Sequence, residues 1–236
     1  MALPRLNETP SYEMVIPSTG KKVRYRPFLV KEQKILMIAM ESQDKKQILT
    51  SMVETLTACI TENIDARDLA TFDVDYMFTQ LRSKSVGEKS TLVNTCKECG
   101  KKSDFTIDLE KINPPEVKKN VKISLTDSIS VLMKYPSYDA FIKNEKLLDD
   151  KNQTEQIMEF ITECMDSIIT DEEQIKLKDE SIEEVQTFID SLTSDQFKKL
   201  SDYIINLPRL RHTFKIKCEH CGAEEDKSLE GLEDFF

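Results

Sequence analysis

Cys96-Lys97-Glu98-Cys99-Gly100 and Cys218-Glu219-His220-Cys221-Gly222 are two copies of one pattern. Each is a Cys-x-x-Cys turn closed by Gly, and each follows a strand-like run. Thr91-Leu92-Val93-Asn94 leads into the first and His212-Thr213-Phe214-Lys215-Ile216-Lys217 into the second. Phe105-Thr106-Ile107-Asp108-Leu109 leads out of the first with alternating apolar positions. Four thiolates offered by two such turns suit a tetrahedral zinc ion, so Cys96, Cys99, Cys218 and Cys221 are the expected metal ligands. Between Cys99 and Cys218 lie 118 residues, against roughly 15–20 in a compact ribbon. The expectation is a split zinc ribbon with a long insertion, in which the metal holds a shape and does no chemistry. Closing so long a loop costs entropy that grows only slowly with its length.

The rest of the composition narrows the function classes. The 236 residues carry 33 basic and 43 acidic side chains, a net charge of −10. That balance argues against general nucleic-acid binding, which wants a basic face. Five Gly leave little material for phosphate-binding loops. No stretch approaches the roughly 20 apolar residues of a membrane helix. The N-terminus lacks a basic region followed by an apolar core, so no secretory signal is expected. In a reducing compartment, paired Cys-x-x-Cys turns read as metal ligands rather than disulfides.

Along the chain, Ser11–Ile16 and Lys21–Arg26 alternate about the turn Pro17-Ser18-Thr19-Gly20, which predicts a hairpin. Val23 and Tyr25 face one side of it, and Lys22, Arg24 and Arg26 the other. Helices are expected over Val30–Glu41, from an Asp44 cap to about Glu62, and over Asp73–Lys84 with Gly87 near its end. Pro114-Pro115 and the Lys-rich stretch from Glu116 to Lys122 read as a connector. Residues from about Thr126 to Leu207 read as mostly helical. Their apolar stripes are Ile129, Leu132 and Met133; Tyr138, Phe141, Ile142 and Leu147; and Ile157, Phe160, Ile161, Cys164 and Ile168. Ser181 and Glu184 form a capping box, and Ser194 is the expected cap of the next helix. The predicted class is α+β, mainly helical, with a small antiparallel β part made by the N-terminal hairpin and the split zinc ribbon. The chain reads as a single domain over 1–236. Its parts are the hairpin (1–29), a helical group (30–87), the first knuckle (88–110), a helical insertion (123–207) and the second knuckle with its tail (208–236).

Other chemistry finds little support. His212 and His220 are the two histidines, too few for a supported His-based site. His220, inside the second turn, is expected to face solvent rather than compete as a ligand. A catalytic zinc would need an open position and usually His or carboxylate ligands. Asp73 and Asp75 read as acids at a helix start rather than as a catalytic pair. Cys59 and Cys164 fall on apolar helix faces and read as core. The runs Asp171-Glu172-Glu173 and Glu224-Glu225-Asp226 read as solvated surface. For partner contacts the first candidates are Arg24 and Arg26 on the hairpin and the terminal Phe235 and Phe236. Phe235-Phe236 either tucks back over the ribbon or docks on another chain.

Several segments together carry a family likeness. They are Leu3-Pro4, Leu6-Asn7, Pro17-Ser18-Thr19-Gly20-Lys21-Lys22, Arg26-Pro27-Phe28-Leu29-Val30-Lys31-Glu32 and Phe72-Asp73-Val74-Asp75-Tyr76. Leu81-Arg82, Lys84-Ser85-Val86-Gly87, both knuckles, Leu207-Pro208-Arg209-Leu210 and Asp234-Phe235-Phe236 complete the set. With these, the chain resembles the T4-type bacteriophage base plate protein family over nearly its whole length, least so from about Asp149 to Lys178. The resemblance implies a baseplate hub subunit or hub assembly protein of a contractile tail, with no enzymatic activity. It implies contacts with other hub proteins and with the tape-measure protein. It places the protein in the host cytoplasm during assembly, and in the virion tail baseplate if it stays in the particle. An assembly chaperone for the hub or tape-measure protein is one alternative. A zinc-ribbon protein associated with nucleic acid is another.

Overall fold

In the computed structural model, which describes residues 9–118, 121–144 and 153–231, the chain opens with the expected hairpin. Strands β1 (Tyr12–Val15) and β2 (Lys22–Tyr25) pair antiparallel. Alternation decides which face is covered: Val23 and Tyr25 are buried, while Lys22 and Arg24 are exposed. The hairpin is tied down at both ends. Its Ser18 amide donates to the Asp73 carboxylate at 2.8 Å, and the Arg26 amide donates to the Cys59 carbonyl at 3.0 Å. Asp73 is fully buried, so the acid read as a helix-start residue also holds a turn 55 positions away.

Three helices follow. They are α1 (Val30–Ser42), α2 (Lys45–Cys59) and α3 (Thr71–Ser85). Asp44 caps α2 as predicted, accepting from the amides of Lys46 and Gln47. A buried carboxylate locks the start of α1. Glu32 accepts from Arg26 Nη2 and from the Leu29 amide, each at 2.8 Å. Two further hairpins complete this part of the chain: β3 (Lys89–Thr95) with β4 (Lys102–Asp108), and β9 (Arg211–Lys217) with β10 (Glu224–Glu230).

The expectation of a single domain over 1–236 meets a chain that divides into two compact units. One holds the described parts of Met1–Ala66, Phe72–Glu116 and Arg209–Phe236; the other holds those of Arg67–Thr71 and Val117–Pro208. The second unit corrects the reading of 123–207 as a helical insertion. Its centre is a four-stranded antiparallel sheet in the order β5 (Val121–Ser124), β6 (Ser130–Met133), β7 (Met165–Ile169) and β8 (Gln174–Lys176). The β part is therefore larger than the hairpin and ribbon foreseen. Ile129, Leu132 and Met133, read as a helical stripe, lie in or beside β6, because a short apolar run does not distinguish the two periods. Ile168, read as one stripe with Cys164, belongs to β7. Helix and strand meet without a loop: α5 (Gln153–Cys164) ends where β7 begins. The Lys134 amide takes the Cys164 carbonyl at 2.7 Å, so the sheet satisfies the group that ends the helix.

Helices α4 (Tyr138–Lys143), α6 (Ile182–Asp190) and α7 (Ser194–Ile205) complete the unit. Leu147, from the same stripe as Tyr138, lies outside the described residues. Ser181 and Glu184 form the predicted capping box. Thr193, not Ser194, caps α7, with Gln196 returning the bond. Val131, Ile161, Cys164, Met165 and Leu200 form the centre of this core. Leu200 is fully buried, so Leu200→Ala is expected to cost about 2–5 kcal/mol in denaturant melts.

Glu32 makes a pH-dependent prediction for the first unit. Burial pushes its carboxyl up, but the bonds from Arg26 and the Leu29 amide outweigh that and hold it below the ordinary range. A carboxyl lowered on folding stabilises above its unfolded value of 4.5 and loses that contribution as pH falls through the folded value. Glu32→Gln is expected to lose about 1–3 kcal/mol at neutral pH. It should also flatten the acid limb of stability measured by urea melts between pH 7 and 3.

Candidate metal centre

The two Cys turns are built alike down to single hydrogen bonds. In the first, the Gly100 amide donates to the Cys96 carbonyl at 2.9 Å and the Cys96 amide to the Lys101 carbonyl at 3.0 Å. In the second, the Gly222 amide donates to the Cys218 carbonyl at 2.9 Å and the Cys218 amide to the Ala223 carbonyl at 2.8 Å. Gly100 and Gly222 have φ of +68° and +74°, a region that costs glycine nothing and a branched residue a great deal. The N-terminal hairpin turns on the same frame. Its Gly20 amide donates to the Ile16 carbonyl and its Ile16 amide to the Lys21 carbonyl, with Gly20 at φ +74°. There Ile16 and Thr19 stand where the knuckles carry Cys. The turn therefore forms without sulfur, and the cysteines add what it presents.

What they present converges. The sulfurs of Cys96, Cys99, Cys218 and Cys221 all lie within 4.8 Å of one another. Cys96 Sγ is 3.7 Å from Cys221 Sγ, and Cys99 Sγ is 3.7 Å from Cys218 Sγ. Those separations are far beyond a disulfide bond of about 2.05 Å. They match the edge of a tetrahedron of thiolates around zinc, about 3.8 Å for bonds of about 2.3 Å. Cys96 and Cys218 are buried, Cys99 is half-buried and Cys221 is exposed. The residues thus fit a four-coordinate divalent ion bound by sulfur alone.

Charge explains why the cluster suits a cation. The amides of Cys221 and His220 point at Cys218 and bring its thiol down to about 6. The Ala223 amide favours a Cys221 thiolate too, but the neighbouring Cys218, Cys99 and Cys96 sulfurs outweigh it and push that thiol up to about 12. Four sulfurs this close cannot all ionise against one another. A bound divalent ion removes that conflict, because a coordinating thiol is deprotonated outright.

Packing brings the hairpins together below the sulfurs. The Phe105 and Phe214 rings lie 5.3 Å apart between centroids. Ile107, Leu109, Ile112 and Leu210 are buried in the same cluster. Two contacts then bridge the knuckles. His220 Nε2 donates to the Lys102 carbonyl at 3.1 Å, so the ring, exposed as expected, also ties one knuckle to the other. Lys97 Nζ lies 2.7 Å from Glu225 Oε1. Glu224-Glu225-Asp226, read as solvated surface, opens strand β10, whose half-buried positions alternate through Glu225, Lys227 and Leu229. Sequence reasoning missed this strand because two of its three inward side chains are charged.

Of the residues singled out for partner contacts, Arg24 is exposed and pairs with Glu62, its Nε 3.3 Å from Oε1. Arg26 is committed inward to Glu32 and also donates to the Pro27 and Ala58 carbonyls. Phe235 and Phe236 lie outside the described residues. Cys59 and Cys164 are buried, and burial pushes their thiols up to about 11 and about 12.

The family model described as T4 bacteriophage base plate protein matches residues 9–236. The chain belongs to the T4 bacteriophage base plate protein family. No curated protein and no solved structure matches it. Base plate family membership gives the chain a structural or assembly role in the phage tail. Among the described residues of this base plate protein, no helix is long and apolar enough to cross a membrane.

The six thiols of this family member are expected to react with a disulfide reagent in three stages. In the metal-loaded protein all should be protected. A chelator should release Cys96, Cys99, Cys218 and Cys221 together, and denaturant should release Cys59 and Cys164. Absorbance titration with Ellman's reagent counts each stage.

Proposed function

We propose that this protein is a non-enzymatic component of the baseplate hub, a subunit or assembly factor that acts through protein contacts while the contractile tail is built. The family match across residues 9–236 carries this reading. Its partners are other hub proteins and the tape-measure protein. The metal is structural zinc, held by Cys96, Cys99, Cys218 and Cys221. Four sulfur donors fill a tetrahedron and leave no open position for a substrate or an activated water. Binding to such a site contributes on the order of 10 kcal/mol in small finger peptides, enough to clasp two hairpins that lie far apart in sequence. Arg24 and the terminal Phe235 and Phe236 are proposed contact residues; Arg26 supports that face from within.

Affinity capture of tagged protein from infected cells, with analysis of purified virions, tests the role. Hub or tape-measure proteins should co-purify. Presence in virions marks a subunit, absence marks an assembly chaperone, and capture without tail proteins rejects the hub reading. Deleting Phe235-Phe236 should weaken recovery of those partners. Elemental analysis should return one zinc per chain, lost in Cys99→Ser with Cys218→Ser. The nucleic-acid alternative predicts a gel shift at physiological salt, which the net charge of −10 opposes.

A further inference from the structure

Helix α1 leaves much of its apolar surface uncovered. Among the described residues, ten large hydrophobic side chains stand exposed, and six of them fall between Leu29 and Met40. Val30, Met37 and Ile38 are 65%, 54% and 61% exposed. The helix itself buries only Glu32 and Ala39. Scattered exposed hydrophobics need no explanation, but a run concentrated on one helix marks an interaction surface. At 3.6 residues per turn, Val30, Lys31, Lys34, Met37, Ile38 and Glu41 form one stripe opposite Glu32 and Ala39.

We propose that this stripe is a two-fold interface between two copies of the chain, with their α1 helices packed antiparallel. A two-fold contact has to be complementary to itself, and the charges on the stripe are arranged that way. Lys31 and Lys34 occupy its N-terminal half and Glu41 its C-terminal end. With the axis passing level with Leu36, Lys31 meets the partner's Glu41 and Glu41 meets the partner's Lys31. The Lys34 stem lies along the partner's Ile38. Lys31 Nζ approaches Glu32 at 3.3 Å but its side chain stays 71% exposed, within reach of a second carboxylate. Antiparallel helices also oppose their dipoles favourably. A parallel arrangement would set Lys31 on Lys31 and Glu41 on Glu41. A uniformly acidic partner would suit the lysines and repel Glu41. The arrangement is independent of the proposed hub role.

Sedimentation velocity of the full chain over a wide concentration range tests it. The expected mass rises with concentration towards twice the 27.3 kDa of one chain. Lys31→Glu or Glu41→Lys alone sets like charges together at both ends of the contact. Each should weaken association by about tenfold or more. The double variant K31E with E41K restores opposite charges and should recover the dimer. Met37→Glu should leave a monomer, with circular dichroism showing that it remains folded. A wild-type monomer at every concentration overturns the proposal. So does a dimer indifferent to Lys31→Glu, or one that the double reversal fails to recover.

Discussion

In the first unit two hairpins far apart in sequence bring four sulfur atoms together, all within 4.8 Å of one another. A two-stranded hairpin is marginal by itself in water. Here two of them, β3–β4 and β9–β10, share a modest apolar cluster around Phe105, Phe214, Leu109 and Leu210. Their tips extend past that cluster and carry mostly polar side chains. Cys96, Cys99, Cys218 and Cys221 converge at the tips, beyond the reach of that cluster. The Lys97–Glu225 pair and the His220 bond to Lys102 then fix how one knuckle faces the other. Exposed ion pairs contribute little stability, so their effect is on orientation more than on strength.

The recurrence of one turn three times separates two roles that a metal site usually merges. Ile16–Lys21, Cys96–Lys101 and Cys218–Ala223 close with the same pair of amide–carbonyl bonds and a left-handed glycine. Only two of them carry sulfur. Backbone pairing and glycine therefore shape the turn, and the thiols of one knuckle meet those of the other. In the first hairpin the contacts differ: Asp73 takes the Ser18 amide, and apolar packing of Val23 and Tyr25 does the rest. The second unit needs no such device. Its sheet and helices enclose a core of their own around Val131, Ile161 and Leu200.

The α1 helix contrasts with both. Its buried residues are Glu32, paired with the half-buried Arg26, and the small apolar Ala39. It presents Val30, Met37 and Ile38 to water and so contributes little to the core.

Much was legible in the residues themselves. Local patterns survived wherever they were self-sufficient: the alternation of Lys22–Tyr25, the Asp44 cap, the Ser181–Glu184 box, and the two knuckles with their glycines. The four cysteines that cluster were legible as a set because two Cys-x-x-Cys-Gly turns share one five-residue pattern. What failed were patterns that only a partner strand resolves. Ile129–Met133 and Met165–Ile169 are apolar runs too short to show a period, and neighbouring strands made them β. Glu225 and Lys227 are charged yet half-buried, and Glu225 pairs with both Lys97 of the first knuckle and Lys227. Sequence alone determined the turns, the Asp44 and Ser181 caps and the thiols that the knuckles carry, since those depend on contacts within a few residues. Tertiary structure decided that Asp73 would hold the Ser18 turn, that Arg26 would face inward, and that sulfurs 119 positions apart would come within 3.7 Å. Such pairings depend on loop closure and shared packing, and these depend on the whole chain at once.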